Sequence, residues 1–464
     1  MTDRLPSGSD RLDSVLGGGL PRNCIVLIGG KPGSGKTILA QQYVFHNATA
    51  DSPAIYMSTV SEPLDKILRY GQSLDFFDPA ALGTKVLYED LGQTLNEVGL
   101  DGALALITEL LKRHRPGLVV IDSFRALRTY AAQPEAFRGF LHELAARLSV
   151  MPMTTFWVGE YDSTDSSEDP EFAVADAIVS LSTLREADRD RRVLSVIKIR
   201  GSSSLSGKHA YRLSSEGIDV FPRMADRVEL DHYGSSKERI SSGVPALDTM
   251  LSDGLYRGAS TLLAGPSGIG KTLLALHFIF AGAHDGETGV IATFQENPSQ
   301  LERILNGFSW SLDDPGIELM YRTPVDLYLD EWVYNLLDTV ERTGATRIAI
   351  DSIGDLRAAA DDELRFREYI YSLLQRCARA NVSIVMTQEV ADLFGVTQLS
   401  EYGISHLSDN VILLQFLRGD SELKRALSIL KTRGSAHEPD TRQYEITTEG
   451  VLLGDPFDPS QDMT

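Results

Sequence analysis

Two copies of a glycine-rich octet constrain this chain more than any other feature. The octets begin at Gly30 and Gly265, and both fit the pattern G-x-x-x-x-G-K-T. Each follows a short apolar run and precedes a helix-like stretch, which is the strand, loop and helix context of a phosphate-binding P-loop. Because a chance glycine-rich turn would not recur in register, we predict two ATP sites. The residues predicted to bind ATP are Gly30, Gly33, Ser34, Gly35, Lys36, Thr37 and Ile38 in the first copy, and Gly265, Ser267, Gly268, Ile269, Gly270, Lys271, Thr272 and Leu273 in the second.

The octets belong to a longer internal repeat. Gly8 and Asp13 recur as Gly243 and Asp248, at the same separation as Lys36 and Lys271. A repeat this long indicates a duplicated domain and not a solenoid. The repeat also contains Ile121-Asp122-Ser123 with Ile350-Asp351-Ser352, and Lys198-Ile199-Arg200-Gly201 with Lys431-Thr432-Arg433-Gly434. We expect domains over residues 1–225 and 237–454, a polar linker over 226–236 and a short tail over 455–464.

Short apolar runs alternate with helix-length amphipathic stretches in both halves, which predicts an α/β fold. Each half is expected to hold a mostly parallel, twisted sheet flanked by helices, with ligands bound at the carboxyl ends of the strands. After Gln415 the pattern changes to strands in quick succession, at Val411–Leu417, Arg425–Lys431 and Gln443–Thr447. These runs predict a β-hairpin extension at one edge of the sheet.

Composition excludes several classes of protein. The net charge of −21 opposes a broad nucleic-acid footprint, so DNA is not an expected partner. Cys24 and Cys377 are far apart and form no C-x-x-C pair, which is typical of a reducing cytoplasm. The most apolar helix candidate, Leu273 to Ala283, contains His277 and is too short to cross a bilayer. We expect a cytoplasmic protein without a membrane segment or a signal peptide.

Two aspartates are candidate Mg²⁺ residues. Asp122 and Asp351 each end an apolar run and follow their P-loop by comparable distances. This is the position of the magnesium-shell carboxylate in P-loop NTPases, and the Thr37 and Thr272 hydroxyls are the expected direct ligands. The alternative is that each aspartate caps the helix that follows it.

Hydrolysis of ATP also requires a group that orients or deprotonates water. After the strand that follows the P-loop helix, the second half offers Gln295 and Glu296, and we predict Glu296 as the base. The first half has Val60 and Ser61 at these positions, and Glu62 is one residue late and faces the other side. We therefore expect the first domain to bind nucleotide and to hydrolyse it poorly. For Glu296 the alternative is a solvated loop glutamate.

The Lys-x-Arg pairs place two positive charges on one face of a strand in each half. These are Lys198 with Arg200 and Lys431 with Arg433. A triphosphate needs cations on its far side, and an adjacent subunit commonly supplies them. Arg192 and Arg425, six residues earlier, are predicted to join the pairs. Solvated edge-strand charges that discourage aggregation are the alternative.

Taken together, these motifs resemble the KaiC family, the double-domain RecA-like ATPase and autokinase of the bacterial clock. The segments Ile348-Ala349-Ile350-Asp351-Ser352 and Val411-Ile412-Leu413-Leu414-Gln415-Phe416 add to the likeness, which covers nearly the whole chain. The resemblance implies two tandem RecA-like P-loop NTPase domains in a two-tiered homohexamer, with ATP between neighbouring subunits and self-phosphorylation in the C-terminal ring. It also implies that the neighbour's ATP contacts Arg192, Lys198, Ile199, Arg200, Ser202, Arg425, Lys431, Thr432, Arg433, Ser435 and His437.

The resemblance also suggests a phosphoacceptor. KaiC proteins carry adjacent Ser and Thr acceptors shortly before a segment similar to Ser408-Asp409-Asn410-Val411-Ile412-Leu413-Leu414-Gln415, which places the Ser on Ser405 and the Thr on His406. Ser400 and Ser408 fall where the family has other threonines and are secondary candidates. The alternative for Ser405 is a polar loop or capping serine.

The chain departs from the family in two respects. KaiC has a pair of glutamates in each domain where this chain has Val60-Ser61 and Gln295-Glu296. The tail Asp455 to Thr464 is shorter than the one that engages KaiA, so a KaiA-type partner is not expected, whereas a KaiB-like or other signalling protein is. Two other functions remain open: a RecA/RadA-like DNA-dependent ATPase, which the charge disfavours, and a scaffold in which nucleotide only joins subunits.

Overall fold

The computed structural model describes residues 4–59, 64–161, 169–186, 189–224, 236–360, 363–390, 404–418 and 423–456. The chain divides into two compact units, Met1–Arg223 and Met224–Thr464. Val60, Ser61, Glu62 and Ser400 lie outside the described residues, as do most of the expected linker and tail. Among the helices of the described part, none is long and apolar enough to cross a membrane.

Unit 1 is an α/β domain. Its strands are β1 (Arg4–Leu5), β2 (Leu20–Pro21), β3 (Ile25–Gly30), β4 (Ala54–Ser58), β5 (Val86–Asp90), β6 (Leu118–Asp122), β7 (Thr154–Gly159), β8 (Ala177–Glu186), β9 (Arg189–Ile199), β10 (His209–Ser214) and β11 (Gly217–Phe221). Its helices are α1 (Asp10–Val15), α2 (Lys36–Asn47), α3 (Leu64–Gly71), α4 (Gly92–Val98), α5 (Leu100–His114), α6 (Pro134–Ser149) and α7 (Pro170–Val174), with 3-10 turns at Pro79–Ala81 and Phe124–Tyr130.

Unit 2 repeats this order of elements. Its strands are β12 (Arg239–Ile240), β13 (Leu255–Tyr256), β14 (Ser260–Gly265), β15 (Gly289–Thr293), β16 (Ile317–Tyr321), β17 (Arg347–Asp351), β18 (Ser383–Glu389), β19 (Asn410–Arg418), β20 (Leu423–Thr432), β21 (Arg442–Thr447) and β22 (Gly450–Pro456). Its helices are α8 (Pro245–Met250), α9 (Lys271–His284), α10 (Pro298–Asn306), α11 (Leu329–Thr343), α12 (Ile353–Ala358), α13 (Glu363–Arg379) and α14 (Ile404–Leu407), with a 3-10 turn at Pro324–Asp326.

The two main sheets have the same topology. Within the described residues, the strand orders are β11-β10-β9-β8-β3-β7-β6-β4-β5 and β16-β15-β17-β18-β14-β19-β20-β21-β22. The strands from β5 to β8 in the first sheet, and from β16 to β19 in the second, pair in parallel. The last three strands of each sheet run antiparallel, as the expected hairpin extension. The predicted fold class is therefore confirmed.

Burial on both faces explains why the central strands are apolar along their whole length. Every residue of β3 and of β14, the strands that lead into the P-loops, is buried. Strands covered on both faces read as continuous apolar runs because neither side meets water. The covering helices are amphipathic, and α5 buries Leu100, Leu104, Ile107 and Leu111 at helical spacing. In each unit the two faces of the sheet carry separate apolar clusters.

Candidate nucleotide sites

Both P-loops have the backbone that phosphate binding requires. Gly35 and Gly270, the residues before α2 and α9, have φ angles of 88° and 111°, in the region that favours glycine. A Cβ at Gly35 would lie 2.7 Å from the Leu213 side chain, and one at Gly270 would lie 2.9 Å from Ile446. Glycine is therefore required at both positions, and each loop presents the N-terminus of its helix to an anion.

The P-loop lysines lie over their own loops. Lys36 Nζ donates to the Lys31 carbonyl at 2.9 Å, and Lys271 Nζ donates to Gly265 at 2.9 Å and to Pro266 at 2.8 Å. Burial lowers the pKa of both ammonium groups, and nearby carboxylates, chiefly Asp122 and Glu389 respectively, act in the opposite direction. Two half-buried cations are thus held where the phosphates of a nucleotide would lie.

The threonine and aspartate predicted to serve Mg²⁺ meet in each unit. Thr37 Oγ1 donates to Asp122 Oδ2 at 2.8 Å, and Thr272 Oγ1 donates to Asp351 Oδ2. In both units the peptide bond that follows the aspartate is cis. A hydroxyl beside a carboxylate at the edge of a P-loop is an oxygen donor set that suits Mg²⁺.

Each aspartate has a further partner that the sequence analysis did not identify. Tyr56, on β4, donates to Asp122 Oδ2 at 2.6 Å, whereas Thr387, on β18, donates to Asp351 Oδ1. The two partners come from different strands, so the internal repeat does not point to them. The available signal was a polar side chain inside an otherwise apolar parallel strand.

Two further residues that the sequence analysis did not identify support the P-loops, and both lie in the hairpin extension. The Tyr211 hydroxyl, on β10, donates to the carbonyl of Ser34 at 2.6 Å. The Tyr444 hydroxyl, on β21, donates to the carbonyl of Ile269 at 2.6 Å. Both tyrosines are buried, and they occupy equivalent positions in the repeat. The antiparallel strands therefore hold the loop that would cradle phosphate.

The loop after β15 brings Glu296 to this edge of the sheet. Thr293 Oγ1 donates to Glu296 Oε2 at 3.3 Å. Burial raises the pKa of the Glu296 carboxyl, and the charge of Asp351 acts in the same direction. The neighbouring side chain, Gln295, has a different partner, because its Nε2 donates to the Asp355 carboxylate at 3.2 Å. The corresponding residues of unit 1, Val60 and Ser61, lie outside the described part of the chain.

The Lys-x-Arg pairs lie at the opposite edge of their sheets from their own P-loops. Lys431 pairs with Val411, which pairs with Leu262, so Gly265 is three residues farther along. At ~3.3 Å per residue this is about 10 Å of strand before the loop begins. Lys431 Nζ donates to the Ser408 carbonyl at 2.6 Å, farther still from the P-loop. These cations cannot reach the nucleotide of their own unit.

The pair in unit 1 is placed in the same way. Lys198 pairs with Ile178, which pairs with Leu27 on β3, three residues before Gly30. Lys198 Nζ donates to the Phe172 carbonyl at 3.2 Å. The Arg200 guanidinium lies 3.2 Å from the Asp176 carboxylate. In both units the cations therefore lie at the amino edge of the sheet, where the parallel strands begin, and the P-loops lie at the carboxyl edge, where these strands end.

The turn that follows each pair is supported by equivalent contacts. Arg4 donates to Ser202 Oγ at 2.9 Å, and Arg239 donates to Ser435 Oγ at 2.7 Å. Thr432 is hydrogen-bonded to His437 at 2.9 Å. Ile199 and Thr432, the middle residues of the two Lys-x-Arg segments, end β9 and β20. These contacts fix the backbone that carries the cations.

Arg192 and Arg425 do not join the Lys-x-Arg pairs within their own units. Arg192 pairs with Thr183, and Arg425 pairs with Phe416. On their strands, Thr183 and Phe416 each lie two residues past the position beside the first P-loop glycine, toward the carboxyl ends of the parallel strands. Six residues of extended strand separate them from Lys198 and Lys431 by about 20 Å. Arg192 and Arg425 thus lie at the P-loop edge of their own sheets, and the Lys-x-Arg pairs lie at the other edge.

The predicted phosphoacceptor lies beside the second cation pair. Ser405 belongs to α14, and the carbonyl of the next residue, His406, accepts hydrogen bonds from Arg433 at 2.6 Å and Lys431 at 3.5 Å. Ser408, a secondary candidate, is fully buried. The backbone of Ser405 is therefore held at the amino edge of the sheet, with Lys431 and Arg433.

Comparison with known proteins agrees with this geometry. The family model described as "ATPase: KaiC" matches residues 5–225 and again residues 240–456. The circadian clock oscillator protein KaiC of Rippkaea orientalis is 28% identical over 462 residues, which cover 96% of this chain and 87% of that protein. A KaiC of Prochlorococcus marinus is 28% identical over 477 residues, covering 98% and 93%. With two P-loop domains that both match the family model, the chain belongs to the KaiC ATPase family and is an ATP-binding protein.

Proposed function

We propose that both units bind Mg·ATP and that hydrolysis takes place mainly in unit 2. The observation that carries this proposal is the position of Glu296, whose half-buried carboxylate shares the P-loop edge with Asp351 and Lys271. Unit 1 has Val60 and Ser61 at the corresponding positions, and neither can accept a proton as a carboxylate does.

Thr272 and Asp351 would hold Mg²⁺ in unit 2, and Thr37 and Asp122 would hold it in unit 1. The oxygen-only donor sets fit a hard cation. When bound by these residues, the ion would supply positive charge that offsets the negative charge of the phosphates. Lys271 would bind the same phosphates, and the N-terminus of α9 would orient them. Glu296 would accept a proton from the attacking water, in a site where burial favours its protonated form.

The protein is proposed to work as a homohexamer in which each site is completed by a neighbour. Lys198, Arg200, Lys431 and Arg433 lie at the amino edge of their sheets and cannot reach their own P-loops. A neighbouring subunit that docks this edge onto a P-loop would supply the missing cations. Ile197 and Leu430, next to the two lysines, are 44% and 43% exposed and offer apolar area to such an interface.

We also propose that the protein phosphorylates itself at Ser405. Because α14 lies beside Lys431 and Arg433, docking these cations at a neighbour's γ-phosphate would bring Ser405 near the same phosphate. Phosphorylation would then add a charge of roughly −1.5 to −2 at the subunit interface. Such a change in charge suits a role in signalling or clock-type regulation, with a KaiB-like or other signalling protein as partner.

Incubation with γ-labelled ATP tests these steps together. Lys271→Ala is expected to abolish most hydrolysis even in assembled rings, because turnover is assigned to unit 2, whereas Lys36→Ala should lower hydrolysis only as far as it prevents assembly. Glu296→Gln should remove turnover while ATP still binds, and Ser405→Ala should remove label from the protein without stopping hydrolysis. Turnover that survives Glu296→Gln would contradict the assignment of the base. Label that persists on the Ser405→Ala protein would contradict the assignment of Ser405 as the phosphoacceptor.

A narrower role for unit 1 follows from Val60 and Ser61. Without a carboxylate at these positions, ATP bound to Lys36 would persist and join subunits instead of being hydrolysed. We therefore propose that unit 1 acts mainly in assembly. Sedimentation with and without ATP tests this role: Lys36→Ala should prevent assembly, and Glu296→Gln should leave it intact. The DNA-dependent alternative has no support in a chain with a net charge of −21.

A further inference from the structure

A carboxylate outside the predicted motifs lies against the loop that carries Glu296. Asp355, in the first turn of α12, accepts a hydrogen bond from Gln295 Nε2 at 3.2 Å and another from Ser352 Oγ at 2.8 Å. Ser352 directly follows the aspartate proposed to serve Mg²⁺. Asp355 therefore joins two segments at the nucleotide edge of the sheet: the end of β17 and the loop after β15.

This contact determines which way the Gln295 amide faces. An ionised carboxylate can only accept hydrogen bonds, so the NH₂ group of Gln295 must be turned toward Asp355. The amide oxygen is then turned away from Asp355. An oriented glutamine is one of the groups that position attacking water in nucleotide hydrolases, because its carbonyl accepts a hydrogen bond from that water.

The arrangement is specific to unit 2. Counted from the equivalent aspartates Asp351 and Asp122, the residue of unit 1 that corresponds to Asp355 is Ala126. The residue of unit 1 that corresponds to Gln295 is Val60. The glutamine and its carboxylate partner thus occur together in one unit, and the other unit has apolar residues at both positions.

We propose that Asp355 is a positioning residue for ATP hydrolysis in unit 2, acting through Gln295, and this inference rests on the function proposed above. Gln295 accepts a hydrogen bond from one O–H of the attacking water, and Glu296 accepts the proton of the other. The water oxygen bonds to the γ-phosphorus as the bond from phosphorus to the bridging oxygen of ADP breaks. One proton passes to Glu296, and the second stays on the hydroxyl group of the phosphate product.

A double-mutant cycle on the full-length protein tests the inference. Asp355→Ala should lower kcat for ATP hydrolysis by about tenfold or more and leave KM within about twofold, because it disturbs the position of the attacking water and does not affect the binding of the nucleotide. In a Gln295→Ala background the same change should cost less than about twofold, since its target is already gone. Asp355→Asn, whose amide oxygen can still accept from Gln295, should keep kcat within about threefold of wild type. Asp313→Ala removes an exposed carboxylate before β16, at the opposite edge of the sheet, and serves as the matched control.

Several outcomes would overturn the proposal. A wild-type kcat in Asp355→Ala would do so, and so would an equal loss with and without Gln295, because the two residues would then act independently. If Asp355→Ala fails to fold, Asp355→Asn decides alone, and a loss as large as that of Gln295→Ala counts against the role. Hydrolysis that is insensitive to Lys271→Ala would reject the proposed function and this inference together. Hydrolysis that requires Lys271 but ignores Asp355 would reject the inference only.

Discussion

The Nε2 atom of His277 accepts a hydrogen bond from the backbone N–H of Val451 at 3.1 Å. Its ring also hydrogen-bonds the backbone of Gly243. Gln42 occupies the equivalent position in unit 1, where it accepts from Ile218 N–H at 2.9 Å and donates to the Ser7 carbonyl at 3.0 Å. Each P-loop helix is thus joined to the last strand of its sheet by a buried side chain, and only that of unit 2 can titrate.

We predict that acid weakens unit 2 through His277. Burial lowers the pKa of this imidazole to about 4, from an ordinary value of 6.5. Because the folded state favours the neutral ring, the contribution to stability is complete above pH 6.5 and is lost as pH falls from 6.5 toward 4. This contribution of His277 to the free energy of unfolding amounts to roughly 3 kcal/mol.

Hydrogen exchange followed by mass spectrometry can measure this effect. Protection of the segment that contains Val451 should fall between about pH 7 and pH 5 relative to the segment that contains Ile218, whose partner Gln42 does not titrate. In the His277→Gln variant, protection of the two segments should depend on pH in the same way. An identical pH response of both segments in the wild-type protein would show that His277 does not carry the effect.

Removing the phenol that supports a P-loop should weaken nucleotide binding. Tyr444→Phe leaves the Ile269 carbonyl without its hydroxyl donor, which costs about 1 kcal/mol and raises Kd for ATP in unit 2 roughly fivefold. Tyr211→Phe should do the same in unit 1. Tyr130→Phe is the control, since its hydroxyl donates to Asn96 Oδ1 and not to a P-loop carbonyl. Titration with a fluorescent ATP analogue measures all three, and a Kd unchanged in Tyr444→Phe would refute the support role.

The hydroxyl of Thr387 should matter for Mg²⁺. Its hydrogen bond orients the Asp351 carboxylate, and loss of such outer-shell contacts typically lowers metal affinity or activity by roughly 10- to 100-fold. Thr387→Val keeps the shape and matches Val158, the equivalent residue in unit 1. We expect the Mg²⁺ concentration for half-maximal hydrolysis to rise about tenfold. Thr261→Val, a substitution at the start of β14, is the control, and an equal rise there would argue for a general packing effect.

Mixing two inactive variants tests whether the cations act between subunits. Lys271→Ala lacks a working P-loop, and Lys431→Ala lacks the cation proposed to reach a neighbour's ATP. In rings assembled from equal amounts of both, about one interface in four combines an intact P-loop with an intact cation. Hydrolysis should therefore recover to about a quarter of wild type. No recovery, although the subunits exchange, would place Lys431 outside the neighbour's site.

The fold was predictable because its signals are local and occur twice. The glycine pattern before Lys36 and Lys271 specifies a strand, a tight loop and a helix start within a few residues. The alternation of apolar runs with amphipathic stretches specifies a covered parallel sheet. The rapid succession of strands after Gln415 predicted the hairpin extension. Each of these features depends on neighbours along the chain, so the sequence alone determined two P-loop domains of one fold.

Which side chains meet was decided only by the tertiary structure. Tyr444 and Ile269 are 175 residues apart, and their contact depends on the order and register of several strands. Register also places Arg425 beside Phe416 and Lys431 beside Val411, and so decides which of the two cations lies near the P-loop. Asp355 and Gln295 meet because β15 and β17 are neighbours in the sheet. Such contacts form between segments distant in sequence, where no local pattern of residues records them.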